Sequence, residues 1–155
     1  MADRVSASID IGGKVTASLY EELADVIAGE GLSTEWDGPT FEPEHRSLDE
    51  PLSLYAHEVA WGRFEDLEAW CIENKLWFAR WWGAYQGQWG AERVVFTGDG
   101  EPSSYPADED DHVMLAREMA AKLGSIEAII GYFNVADVSI APLEIFDEPV
   151  SAAAE

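Results

Sequence analysis

The sequence predicts a single α+β domain, because segments with the two-residue period of a strand alternate with segments that have the helical period. A hydrophobic content of 47%, with 7 Trp, 6 Phe and 5 Tyr, is enough for a core despite a formal net charge of -22. We expect one acidic domain over residues 1–148 and a flexible tail over 149–155, where Pro149 is followed by small residues without a periodic pattern.

The first predicted strand covers residues 5–11, where apolar side chains alternate with Ser and Asp, and a Gly pair at 12 and 13 is expected to end it. A helix follows, because Ser18 and Glu21 have the spacing of a capping box. Leu23 and Ile27 lie on its apolar side, and glycines at 29 and 31 mark its end. A second strand is predicted at 32–36, before turn residues at 37–39.

A third strand is predicted at 52–61 and a second helix along the apolar stripe from Phe64 to Cys71, ending at Asn74. Residues 76–82 are aromatic on both sides, which indicates a strand covered on both faces with Trp77 and Trp81 in the core. The order strand, helix, strand, strand, helix, strand is that of a ferredoxin-like split βαβ sandwich.

Beyond this sandwich, the sequence predicts an extra strand at 92–97 and then a loop through Pro106. A helix is expected from Val113 to Leu123, capped by the acidic residues before it, and a shorter one from Ser125 to Phe133. A last strand is expected within 138–146, with Pro142 marking an edge or break. These elements form a C-terminal extension of helices and strand.

The charge of the chain restricts its partners. Thirty-one Asp and Glu residues stand against 9 Lys and Arg, and such a surface repels nucleic acid and anionic membranes while it attracts basic proteins. In composition the chain is similar to the DNA-mimic inhibitors of phages and mobile elements, among them anti-restriction and anti-CRISPR proteins. This resemblance covers no motif. It implies an inhibitor that occludes the nucleic-acid-binding surface of a basic protein or nuclease complex, without binding nucleic acid directly.

The predicted partner-binding residues come from two acidic segments and one aromatic segment. Carboxylates can take the positions of phosphates on a partner's Lys and Arg side chains. Trp and Tyr are enriched at interfaces, and two such residues lie among glycines and glutamines where exposure is expected. The set is Glu42, Glu44, Asp49, Glu50, Asp108, Glu109, Asp110, Asp111, Tyr85 and Trp89.

No motif indicates a catalytic, metal or cofactor site. The segment after Asp99 lacks the spacing of a calcium hand, His57-Glu58 lacks the second His of a zinc protease, and neither a Gly-x-Ser-x-Gly elbow nor a phosphate-binding Gly pattern occurs. The single Cys71 is expected to be a buried structural thiol. Without a signal peptide or an apolar span, we expect a cytoplasmic protein.

Three alternatives stay open from the sequence. The first is an immunity protein that uses the same acidic interface against a basic nuclease toxin. The second is a small-molecule-binding or enzymatic ferredoxin-like domain with a pocket lined by Tyr55, His57, Trp61 and Trp82. The third is an acidic surface that aids only solubility. The oligomeric state is open, since an aromatic interface can overcome self-repulsion.

Overall fold

The computed structural model describes residues 4–45, 50–60, 64–83 and 90–145. Within these ranges the chain forms a mixed α+β fold with six strands and four α-helices, which confirms the predicted class. The helices are α1 (Ala17–Gly29), α2 (Glu65–Glu73), α3 (Arg117–Leu123) and α4 (Ile126–Ala136), and a 3-10 turn covers Pro43–His45. The strands are β1 (Arg4–Val15), β2 (Leu52–Ala60), β3 (Trp77–Trp82), β4 (Glu92–Phe96), β5 (Ser103–Pro106) and β6 (Leu143–Ile145).

The strands form one open sheet in the order β2-β1-β3-β4-β5, in which all neighbours are antiparallel. β6 lies off this path and pairs in parallel with the end of β1, where Gly13, Lys14 and Val15 face Leu143, Glu144 and Ile145. Because β2 and β3 are both antiparallel to β1, they run in the same direction, and the connection through α2 passes across β1. β1 is therefore the strand that organises the sheet.

One face of the sheet carries the core. Ala7, Ile9 and Ile11 of β1 are fully buried, and they pack with the apolar sides of α1 and α2, including Leu23 and Leu67. The opposite face is covered in part by the segment after β5 and by α4, where the rings of Tyr105 and Tyr132 meet edge to face at 5.5 Å. Helical layers thus cover the two faces unequally.

The second predicted strand, at 32–36, is wrong. Ser33 makes a single antiparallel bridge to Tyr55, and the chain then turns, with the Gly38 amide donating to the Glu35 carbonyl at 3.1 Å. Asp37 takes a φ of 62°, which a strand does not accommodate. The predicted ferredoxin-like order therefore has one bridge where its second strand would lie.

The Gly pair at 12 and 13 does not end β1, contrary to the prediction. A Cβ on Gly12 would lie 1.8 Å from the Ala141 carbonyl oxygen, and the Gly13 amide donates to the Pro142 carbonyl at 3.2 Å. Gly12 thus lets the 140–142 segment cross β1 closely, and this approach aligns β6 with the end of β1.

Two helices begin at residues other than those that the sequence predicted. At α1 the capping residue is Thr16 rather than Ser18, since its Oγ1 accepts from the Leu19 amide at 3.1 Å. The helix expected from Val113 begins only at Arg117, because Val113 forms an antiparallel bridge with Ala107. The acidic segment before it lies in a loop and not at the helix N-terminus.

Other predictions are confirmed or adjusted at single elements. The Ser125 hydroxyl accepts from the Ala128 amide at 3.1 Å, which confirms the start of α4, and Cys71 is fully buried as expected. Burial, reinforced by the nearby Glu68 carboxylate, raises the pKa of the Cys71 thiol. β5 occupies the predicted loop, and the last strand shortens to β6. Trp77 is 38% exposed, so its predicted core position is wrong, and Trp81 is half-buried.

A Gly12→Ala substitution tests the close crossing of β1. The added methyl group would overlap the Ala141 carbonyl, so we expect a loss of about 3 kcal/mol in the free energy of unfolding. Gly29→Ala is the matched control, because a Cβ there meets nothing within 4 Å; in the helix it should stabilise by up to about 1 kcal/mol. Urea unfolding measures both, and equal stabilities for the two variants would contradict the proposed packing.

Candidate functional site

The second acidic segment forms a closed loop after β5. The Asp108 amide donates to the His112 carbonyl at 3.0 Å, and the Asp108 carboxylate accepts from the amides of Asp110 at 2.9 Å and His112 at 2.8 Å. The His112 Nδ1 lies 3.1 Å from the other carboxylate oxygen. These hydrogen bonds, first that from the His112 amide, lower the pKa of Asp108. Asp108 therefore maintains the loop shape.

Asp111 turns into the fold. Its Oδ2 lies 2.9 Å from Nη1 of Arg93, whose Nε donates to the Ala136 carbonyl at 2.8 Å. Burial raises the pKa of Asp111, while Arg93 lowers it and the carboxylates of Asp10 and Asp137 raise it. Asp111 thus ties the loop and α4 to the sheet. In this loop, Glu109 and Asp110 are the predicted contacts whose side chains are exposed.

The first acidic segment lies beside β2. The Phe41 amide donates to the Leu32 carbonyl at 2.9 Å, and the Tyr20 hydroxyl donates to the Pro43 carbonyl, so the backbone of this loop is fixed to α1 and to the end of its connection. Glu42, Glu44 and Glu50 are exposed. The predicted contact Asp49 lies outside the described residues.

The structure does not bring the predicted contacts into one site. Glu50 directly precedes β2 and Asp108 directly follows the bridge after β5, and these two strands form opposite edges of the five-strand array. Tyr85 and Trp89 lie outside the described residues, so their role as contacts stays a prediction. The exposed acids form two separate clusters, which we call the 42–50 cluster (Glu42, Glu44, Glu50) and the 109–110 cluster (Glu109, Asp110).

A shallow cleft adjoins the 42–50 cluster. Its volume is about 330 Å³, and both ionisable and aromatic side chains contribute to its wall. Glu50 and Tyr55 line this cleft, together with His45 at the end of the 3-10 turn. The lining residues are Thr34, His45, Glu50, Pro51, Leu52, Ser53 and Tyr55.

Arg80 is a buried cation that the sequence did not predict. Arg80 is 4% exposed, it pairs with the Glu68 carboxylate of α2, and its guanidinium lies 4.4 Å from the centre of the Trp82 ring. The same carboxylate accepts from the Phe64 amide at 3.0 Å, at the start of α2. One signal was present in the sequence: the two-residue period places Arg80 on the side of the strand that also carries Phe78.

Trp36, Tyr55 and His57 form an aromatic group on the other face, with ring centres 4.9 and 4.8 Å from Trp36. His57 Nδ1 lies 2.9 Å from the Ser6 hydroxyl, and Nε2 lies 3.4 Å from the Asp37 carboxylate. A Ser-His-Asp relay needs a buried carboxylate to orient the imidazole, but the Asp37 side chain is 83% exposed. We therefore assign these contacts to fixing the turn after Leu32.

The pocket predicted from Tyr55, His57, Trp61 and Trp82 is not formed by the described residues. Tyr55 faces Ser8 across the β1–β2 pair, whereas Trp82 faces Ala7 across the β1–β3 pair. Successive residues of a strand point to opposite faces, so Tyr55 and Trp82 lie on different sides of the sheet. Trp61 lies outside the described residues.

Asp108, Asp110 and His112 each offer a metal-ligand atom, and these atoms lie within 4.8 Å of one another. The Asp108 carboxylate is already engaged by two backbone amides and by His112. Each of these contacts closes the loop on itself, so the geometry of the three side chains has a structural explanation without an ion.

No protein-family model, no curated protein and no solved structure matches this chain. Among the described residues, no helix is long and apolar enough to cross a membrane.

Glu68→Gln tests the buried ion pair. Because it leaves the Arg80 cation buried without its carboxylate, we expect a loss of about 3–5 kcal/mol in the free energy of unfolding. A double variant with Glu68→Gln and Arg80→Met should regain most of this loss, since it removes both charges. The control Glu73→Gln, exposed on the same helix, should change stability by less than about 0.5 kcal/mol. A Glu68→Gln variant as stable as this control would contradict a structural role.

The half-buried carboxyl of Glu92 predicts one part of how the free energy of unfolding depends on pH. Burial raises the pKa of Glu92 above its ordinary 4.5, although nearby Arg80 lowers it, and the folded state therefore holds this proton more tightly than the unfolded state. The stabilisation that protonated Glu92 contributes is fully present below pH 4.5, and it is lost as the pH rises through the raised pKa of the folded state. In urea titrations at a series of pH values, Glu92→Gln should weaken this dependence relative to Glu73→Gln. If the free energy of unfolding had the same slope against pH in both variants, Glu92 would make no such contribution.

Proposed function

We propose that this protein binds a basic partner protein through exposed carboxylates and so occludes the surface with which that partner binds nucleic acid. It would act in the cytoplasm as an inhibitor of the DNA-mimic kind, the class that its composition resembles. The observation that carries this proposal is the distribution of charge between the inside and the outside of the fold. Both Arg–carboxylate ion pairs in the described part of the chain hold the fold together.

These internal pairs take two of the few cations away from the surface. Arg80 and Arg93, two of the 9 basic residues, neutralise Glu68 and Asp111 within the fold. None of the ion pairs between described residues includes a member of the 42–50 cluster. Exposed carboxylates can form charge-assisted hydrogen bonds with a partner's Lys and Arg, and their field accelerates encounter.

The cleft beside the 42–50 cluster supports the same proposal. Glu50 and Tyr55 are among its lining residues, and a carboxylate and an aromatic ring favour a Lys or Arg side chain through ion pairing and cation–π contact. A volume of about 330 Å³ admits one such side chain with water around it. We propose this cleft as the position where one basic side chain of the partner inserts.

We further propose that residues 4–82 are a ferredoxin-like sandwich whose second strand is reduced to one bridge. This interpretation is supported by the spatial order β3, β1, β2 followed by Ser33, with antiparallel neighbours throughout. α1 and α2 then cover one face, as the sandwich requires. The fold itself specifies no activity.

The alternative functions differ in the kind of molecule that the protein would bind. An immunity protein would use the same clusters against a nuclease toxin, so only the identity of the partner separates it from a DNA-mimic inhibitor. A small-molecule site is favoured by the cleft alone, and its occupant would bind without any protein partner. An acidic surface that aids only solubility would bind neither.

Neutralising the 42–50 cluster tests the proposal. The tagged full-length protein captures partners from nuclease-treated host lysate, and binding of the captured protein is then measured against two variants of equal charge. Since close ion pairs across interfaces are strongly coupled, the cluster variant should bind roughly tenfold to a hundredfold more weakly, and the control variant within about twofold of wild type. The cluster variant is Glu42→Gln, Glu44→Gln and Glu50→Gln; the control, at other exposed acids, is Glu21→Gln, Asp25→Asn and Glu73→Gln.

The identity and behaviour of the captured protein decide the rest. A nucleic-acid-binding partner that DNA displaces, and that high salt releases, supports occlusion by charge. A nuclease toxin supports the immunity alternative. Capture of no protein, or equal loss in both variants, would contradict a specific acidic interface.

A further inference from the structure

The α3–α4 region differs from the rest of the chain in its surface. Five of the eight large hydrophobic side chains that are exposed in the described residues lie in this region. Ile126 is 70% exposed and Ile130 is 53% exposed, and their spacing of four residues places them side by side on one helix face. The other three are Met114, Met119 and Val135.

The exposed side of α4 is unusual for a helix in water. Glu127 is the one charged residue in its sequence, and Ala136 is its one fully buried residue. A helix at a protein surface ordinarily carries charged and polar residues on its outer face, whereas a helix that is apolar all round is covered by another element. The pattern of α4 therefore indicates a surface that is covered in the functional state.

The charges around this surface indicate what covers it. Residues 113–136 contain Arg117 and Lys122 against Glu118 and Glu127, so their formal net charge is zero and the remainder of the chain carries the entire -22. All four of these charged side chains are exposed. The 109–110 cluster adjoins one end of this region, since Arg93 joins Asp111 to the Ala136 carbonyl. Residues 113–136 themselves offer no excess of negative charge that would attract a strongly basic partner.

We propose that the α3–α4 surface is the interface of a homodimer. Two copies of a chain with a net charge of -22 repel each other, and the repulsion is least where a neutral surface meets a neutral surface. At physiological salt, acids more than about 8 Å from the contact are largely screened. In a two-fold arrangement the same surface contributes to both sides, so basic residues of α3 can meet acidic residues of the second copy.

Sedimentation equilibrium of the full-length protein tests the dimer. For wild type, we expect an average mass above the monomer mass of 17.1 kDa that increases with protein concentration, as a monomer–dimer equilibrium requires. Ile130→Glu places a carboxylate of each copy in the interface, and we expect the dimer Kd to rise roughly a hundredfold or more. Ile72→Glu is the matched control, since Ile72 is 36% exposed on α2, and its Kd should equal that of wild type.

The salt dependence separates this dimer from the proposed inhibitor function. Added salt screens the repulsion between copies and should strengthen the dimer, whereas it should weaken binding of a basic partner. Ile130→Glu should therefore lose the dimer but retain partner binding through the 42–50 cluster. Circular dichroism and urea unfolding confirm that it folds. A monomeric wild type at every concentration, or an Ile130→Glu variant with the wild-type Kd, would overturn the assignment.

Discussion

The pairing of β1 with three other strands is the constraint on which the rest of the structure depends. β2 and β3 hydrogen-bond to its two sides, and β6 pairs in parallel with its last residues. A strand has two hydrogen-bonding edges, so a third strand can pair with β1 only beyond the residues that β2 or β3 occupies, and β6 pairs with Gly13–Val15, past the end of the β2 pairing at Ile11. Gly12 lets the chain reach this position, because the 140–142 segment occupies the volume that its Cβ would need. The chain around residues 140–145 therefore depends on a residue without a side chain near the start of the sequence.

Charge is the second constraint, because the fold places two of its arginines inside and leaves acidic residues at the surface. Arg80 is enclosed beneath α2 by the Glu68 carboxylate and the Trp82 ring, and Arg93 connects β4 to the acidic loop and to α4. Each buried or half-buried arginine removes one cation from the surface and stabilises a carboxylate that would otherwise be costly to bury. Arg80 and Arg93 thus stabilise the fold and, because they do not lie at the surface, leave the surface more acidic.

The sequence predicted the fold well where periodicity is strong and poorly where tertiary contacts decide. The apolar alternation of β1, the stripe of α2 and the Ser125 cap are local signals, and the structure confirms the elements that they indicate. The strand expected at 32–36 fails because the chain turns at Gly38, and the Gly pair in β1 was misinterpreted because its reason lies near Ala141, far away in the sequence. Composition indicated acidic contacts, but it could not show that Asp111 faces Arg93 while Asp110 faces solvent.

The two proposed surfaces follow from one division of the chain. If acidic residues were spread evenly, a chain with this net charge would carry several of them on the outer faces of α3 and α4, and self-association there would be opposed. Instead residues 113–136 have no net charge, and the acidic residues of the 42–50 cluster precede β2. A dimer through the neutral surface would leave both copies of the 42–50 cluster free. Two linked copies of a carboxylate cluster would then engage a partner with two basic sites at a raised effective concentration. Dimerisation and charge-based binding are thus compatible in one molecule because they use separate parts of its surface.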